Sequence, residues 1–218
     1  PQVAVALEMS KEQGLHIPVV YNSSGYEKAK TLKMLDGLVD IYLPDFKYMD
    51  AVLAKKYSHA QDYPEIAKEA LSEMVRQVGE AEFDSRGMMK KGVIVRQLLL
   101  PGHVKDAKNV LKYLYETYGD RIYISMMNQY TPISSVLEKT LPKLMQKKLA
   151  APEPLREKSA AQPESAQACL TGLQRRLTED EYEALIDFAI ENGIENGFIQ
   201  DQETAQESFI PAFDGEGI

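Results

Sequence analysis

Apolar residues recur along this chain in two periods, and the switches between them predict the order of elements. Residues 1–14 place Val3, Ala4 and Leu7 at helical spacing, with Gly14 as a stop. Residues 17–21 are short and β-branched and predict a strand, with Pro18 tolerated near its start. The small polar cluster Asn22-Ser23-Ser24-Gly25 then predicts a turn. A helix over 27–36 follows, with Ala29, Leu32 and Leu35 on one side and Gly37 after it. After a strand beginning at Val39, helices are expected over 51–57 and 64–78, the second opening on Pro64, where a missing N–H costs nothing. Residues 83–91 read as a loop, and Gly92 opens a continuous apolar run, GVIVRQLLLPG, of the kind found in a buried parallel strand. A helix over 105–118 buries Ala107, Val110, Leu111 and Leu114, and a strand over 121–127 ends at Asn128-Gln129-Tyr130. Strands fed by helices in this order imply an α/β fold with a parallel sheet and right-handed crossovers.

Beyond Pro132 the pattern loosens. Residues 134–149 predict a helix that Pro142 interrupts, and 150–167 are rich in Pro, Ala, Ser and Glu, as a surface linker is. Order returns where Thr178 and Glu181 stand at capping-box spacing, ahead of a helix to about residue 191 and a short strand over 197–200. The expected organisation is therefore a sheet-bearing part over 1–132, a helix and linker over 133–176, and a C-terminal helical extension over 177–218. An α/β chain that opens on a helix also leads one to expect upstream sequence.

The stretch VDIYLPDFKYMD, residues 39–50, organises the reading. Side chains alternate along a strand, so Val39, Ile41, Leu43, Asp45 and Lys47 share one face, and Tyr42, Pro44, Phe46 and Tyr48 the other. The first face is apolar for three positions and then turns abruptly charged. In β/α barrels, polar groups at the C-terminal ends of strands generally meet a ligand. The plainer reading is an Asp–Lys pair that seals a sheet edge.

Composition narrows the function. The 218 residues are 44% hydrophobic and 27% charged, enough for a sizeable core. A net charge of −8 argues against general nucleic-acid binding. No apolar run approaches the ~18 residues of a membrane span and nothing resembles a signal peptide, so a cytoplasmic location without a membrane partner is expected. Cys169 is the one cysteine, which excludes an internal disulfide and an all-cysteine metal site. His16, His59 and His103 have no partners at metal-ligand spacing. His103 follows Pro101-Gly102 at a strand end, where it either approaches the site or caps the next helix.

Four strand ends bear polar groups: Asn22-Ser23-Ser24-Gly25, Asp45-Phe46-Lys47, Arg96, and Asn128-Gln129-Tyr130. Without a Gly-rich phosphate loop, the set suits a ligand with a carboxylate, an amine and a ribose better than bare phosphate. Arg96 is the sharpest signal, because an Arg inside VIVRQLLL is costly to bury unless paired or bound. Its alternative reading is a salt bridge to Asp45.

With these residues in view, VVYNSSGYE, VDIYLPDFKYMD, GVIVRQLLLPG and NGFIQD together resemble the radical S-adenosylmethionine superfamily, in the branch of pyruvate formate-lyase activating enzyme-like iron–sulfur proteins. The resemblance implies a partial (β/α)6, TIM-like barrel with its N-terminal strands missing and four parallel strands left. It implies S-adenosylmethionine as cofactor, with a [4Fe–4S] cluster that cleaves it reductively to a 5′-deoxyadenosyl radical, and hydrogen abstraction from a protein partner such as a glycyl-radical enzyme. Asp45 and Lys47 match the family's Asp-x-Lys beside S-adenosylmethionine, and Arg96 a basic contact on the next strand. Asn22 and Ser24 stand where activating enzymes have Asp-Thr-Asn, and a sixth-strand His of those enzymes is replaced around Tyr130-Thr131, which makes Gln129 and Tyr130 candidate contacts. The family's CxxxCxxC cluster loop and Gly-Gly-Glu motif are absent from this sequence. The chain accordingly reads as the C-terminal part of a radical enzyme, inactive alone. The rival readings are a non-catalytic half-barrel that acts as an interaction scaffold, and a barrel lyase or isomerase using Lys47 as an amine.

Overall fold

The computed structural model describes residues 2–132 and 172–200. The helix expected over 134–149, the linker over 150–167 and Cys169 lie outside the described residues. In chain order the elements are α1 (Gln2–Glu12), β1 (Val20–Ser23), α2 (Ala29–Leu32) with a 3₁₀ turn over Lys33–Leu35, β2 (Ile41–Pro44), α3 (Ala51–Ser58) and α4 (Tyr63–Val78). There follow β3 (Glu82–Phe83), β4 (Met89–Leu98), α5 (Val104–Tyr118), β5 (Tyr123–Met127), α6 (Glu179–Glu191) and β6 (Gly197–Ile199). The fold is α/β around a mostly parallel six-stranded sheet, ordered β1-β2-β4-β5-β6, with β3 antiparallel on β4.

Four features differ from the sequence reading, each for a local reason. The first strand runs Val20–Ser23, not 17–21, so Asn22 and Ser23 are strand residues rather than turn residues. Pro18 has no N–H to pair, and Ile17 is 72% exposed outside the sheet. The helix expected over 27–36 is one α-turn followed by a 3₁₀ turn. Residues 83–91 form a hairpin rather than a loop: one oxygen of Asp84 accepts from the main-chain N–H of Arg86 (2.9 Å) and of Met88 (3.0 Å), which starts β4 at Met89. Lastly, the parallel strands number five instead of four, because α6 and β6 continue the sheet, with Ser125 in register with Phe198. The Thr178–Glu181 capping box that opens α6 is present as read.

Burial alternates along the central strand. Val93, Val95, Gln97 and Leu99 are buried, whereas Ile94, Arg96 and Leu98 are partly open. The buried face joins one core with Ala67, Leu71 and Met74 of α4, Val110, Leu111 and Leu114 of α5, and Leu185 of α6. Parallel strands normally read apolar on both faces because both are covered, so the partly open face here is where polar side chains can stand without full desolvation. Among the described residues, no helix is long and apolar enough to cross a membrane.

One polar side chain breaks the core. Gln97 is 1% exposed, its Oε1 has no hydrogen-bond partner among the described residues, and its Nε2 donates to the Leu98 carbonyl at 3.3 Å. An unmet buried acceptor costs about 1–3 kcal/mol. Gln97→Met, which keeps the volume, is expected to raise stability by ~1 kcal/mol in urea or thermal unfolding. A lower unfolding midpoint would show that the amide oxygen is satisfied after all.

Candidate functional site

The β2–β4 pairing does not stop at Pro44. Asp45 bridges to Arg96 in parallel register, and the Phe46 N–H donates to the Arg96 carbonyl at 2.9 Å. Paired residues in a sheet point to the same face, so this register sets the Asp45 and Arg96 side chains next to one another on the more open side. Arg96 Nη2 lies 2.6 Å from Asp45 Oδ1, and Lys47 Nζ lies 3.7 Å from Asp45 Oδ2. One carboxylate is thus shared by two cations at the C-terminal end of the sheet. The side chains of Arg96, Asp45 and Lys47 are 27%, 22% and 38% exposed, respectively. At that exposure an ion pair adds at most about 1 kcal/mol of stability. Arg96 Nε, by contrast, is buried and has no hydrogen-bond partner among the described residues.

The structure brings together three of the six residues singled out in the sequence. Of the two readings of Arg96, the salt bridge to Asp45 is made. Asn22 is exposed on β1, in register with Leu43, two positions short of Asp45. Ser24 is exposed in the following turn, where its Oγ accepts from the Tyr26 N–H at 3.4 Å. Gln129 is exposed just past β5. His103 stands at the N-cap of α5 without capping it, and its Nε2 instead meets the Tyr57 hydroxyl at 2.8 Å. Burial, then the nearby Lys56 charge, pulls its pKa below the usual imidazole value.

Sequence reasoning missed the side chains that hold these strand ends in place. Tyr63, at the start of α4, accepts from the Lys47 N–H (3.0 Å), and its hydroxyl faces the carbonyls of Ser24 (2.9 Å) and Asp45 (3.1 Å). Burial raises the pKa of its phenol, which keeps the donor protonated. Asp106, in the first turn of α5, is buried and accepts from the N–H groups of Asp50 (2.9 Å) and Met49 (3.2 Å). Desolvation raises its pKa, and those two bonds pull the other way. Glu181 of α6 accepts from the Gly102 N–H at 2.7 Å and holds Arg175 through two contacts of 2.6 and 2.7 Å. Tyr182 donates to the Met126 carbonyl (2.8 Å) and accepts from the Gln200 N–H (2.9 Å). Of the four, only Glu181 left a trace in the sequence, as half of the capping box.

Two clefts flank this end of the sheet. One, of about 180 Å³, includes Asn128, Tyr130, Thr178 and Tyr182, and the other, of about 410 Å³, includes Met49, Asp106 and Tyr113. Neither includes Asp45, Lys47 or Arg96. The charged trio is partly exposed to solvent. Among the described residues, no group of three or more His, Cys, Asp or Glu side chains could hold a metal ion.

No protein-family model matches the chain. An uncharacterized protein of Methanocaldococcus jannaschii is 26% identical to it over 117 residues, which cover 54% of this chain and 30% of that protein. The chain thus corresponds to less than a third of that relative's length.

The Glu181 staple carries a pH dependence. Arg175 first, then the Thr178 and Gly102 N–H groups, hold its carboxyl near 2, against an ordinary value of about 4.5. A depressed folded-state pKa contributes stability that is fully present above about 4.5 and lost as pH falls toward about 2. The stability difference between the wild type and Glu181→Gln is expected to shrink across that window in denaturant titrations. A constant difference from pH 6 to about pH 2 would show that the carboxylate is not stapled.

Proposed function

We propose that this chain carries the S-adenosylmethionine-binding part of a radical enzyme, built on a partial (β/α)6 barrel whose open face is the ligand side. The observation that carries the reading is the convergence of Asp45, Lys47 and Arg96 at one strand end, where all three side chains stay partly exposed. The methionine moiety of the ligand bears a carboxylate and an ammonium. Arg96 and Lys47 would hold the former and Asp45 the latter through charge-assisted hydrogen bonds. Asn22, Ser24 and Gln129 are the further candidate contacts, in line with the polar ribose.

When S-adenosylmethionine is cleaved reductively it supplies a 5′-deoxyadenosyl radical, and a glycyl-radical enzyme is the class of hydrogen donor that the sequence resemblance implies. The residues of this chain do not fit a [4Fe–4S] cluster. Three thiolates are needed, and the sequence contains one cysteine. Cluster ligands would have to come from outside this sequence, and no step through a cluster is assigned to its residues. A cytoplasmic location suits this oxygen-sensitive chemistry. The scaffold reading draws on the 2.6 Å Asp45–Arg96 pair, since those charges already answer one another.

Calorimetric titration of the chain with S-adenosylmethionine separates the two. Measurable binding is expected, weakened by ~1–3 kcal/mol in Arg96→Ala and in Lys47→Ala. Equal affinity in all three proteins, or no heat of binding, would leave the scaffold standing. Iron–sulfur reconstitution of the same chain is expected to yield no visible charge-transfer absorbance. A stoichiometric cluster would contradict the ligand count.

A further inference from the structure

Of the side chains that pin the strand ends, Tyr63 alone reaches both segments that bear the candidate site. It is 2% exposed and packed among Tyr26, Phe46 and Tyr48, with ring centroids 5.7, 6.4 and 5.5 Å away. Its hydroxyl has one proton and faces two carbonyls, those of Ser24 and Asp45, while its oxygen takes the Lys47 N–H. Three main-chain groups from two loops therefore share one phenolic oxygen. The turn after β1 is pressed against the same spot: a Cβ on Gly25 (φ +72°) would lie 2.2 Å from the Asp45 carbonyl oxygen and 3.5 Å from the Tyr63 hydroxyl. Glycine is required there by both conformation and contact. The main chain at 45–47 is thus held by both the turn and the phenol.

We infer that Tyr63 is a positioning residue: its hydroxyl, not its ring, fixes the backbone at Asp45 and Lys47 so that the Asp45 carboxylate meets both Arg96 and Lys47. Its effect on ligand affinity rests on the reading of that trio as the S-adenosylmethionine site, while its effect on the backbone does not. Residues that hold a binding group act by sparing the ligand the cost of ordering it. Deleting the hydroxyl should therefore loosen the site without emptying the core. A residue that merely fills space would lose nothing as phenylalanine.

The test uses the whole 218-residue chain and three variants: Tyr63→Phe, Tyr42→Phe and Arg96→Ala. Tyr42 is the control, a fully buried phenol whose hydroxyl bonds Gln77 on α4 instead of a strand end. The first readout is amide hydrogen exchange at Lys47, followed by NMR. In the wild type this N–H should exchange slowly although the side chain is 38% exposed, and in Tyr63→Phe it should exchange at least ~10-fold faster, with no change in Tyr42→Phe. The second is the dissociation constant for S-adenosylmethionine, expected to rise about five- to tenfold in Tyr63→Phe and to hold in Tyr42→Phe.

Fast Lys47 exchange in the wild type, or unaltered exchange in Tyr63→Phe, overturns the positioning role. The wild-type measurement does so even if the variant fails to fold. Equal ligand affinity in Tyr63→Phe and the wild type, with Arg96→Ala still weakened, also overturns it. If wild type and Arg96→Ala bind alike, the ligand reading falls, and Lys47 exchange alone decides the role of Tyr63.

Discussion

Beyond Pro44 the chain is tied to β4 by a single parallel bridge and the Phe46 N–H bond to the Arg96 carbonyl. The site depends on that short extension. If pairing ended with the apolar residues, Asp45 and Lys47 would belong to a free loop and Arg96 would face the open side with no carboxylate beside it. Proline at the last position of β2 makes the extension less obvious, since it gives no N–H to the ladder. The pairing survives because the next two residues resume it.

Around this bridge the helix layer does two jobs. Its apolar stripes build the core against Val93, Val95 and Ile124, and the first turns of α4, α5 and α6 send polar side chains back to the strand ends. Tyr63, Asp106, Glu181 and Tyr182 each satisfy main-chain N–H groups just past a strand, where the ladder no longer can. Such fixing costs about 1–2 kcal/mol of backbone entropy for each residue held, a cost that these bonds help to offset. Both the enzyme and the scaffold readings are compatible with a rigid rim.

Much of the fold was legible because its signals are local. Capping at Thr178, Pro64 at a helix start and the periodicity of α4 and α5 need only neighbours in sequence. The charged trio was legible as well, since a two-residue period and an Arg in an apolar run are themselves sequence facts. The β3–β4 hairpin had a local signal too, Asp84 and Gly87 at the two ends of one turn, but the two-residue β3 before it is too short to show a strand period. Tyr63 and Asp106 were invisible for a different reason. Their importance lies in main-chain partners 16 and 56 residues away, for Lys47 and Asp50 respectively, which no spacing rule encodes.

The strand β6 joins the sheet by a long detour. It follows α6, whose Tyr182 reaches a carbonyl 56 residues earlier in the chain. Loops of such length must lose their entropy before any contact repays them. β1 and β2 pair across 21 residues (Val20 with Ile41) and β2 and β4 across 51 (Ile41 with Gly92), against 73 for β5 and β6 (Ile124 with Gly197). A nascent chain would acquire the Asp45–Arg96 bridge well before it acquired β6.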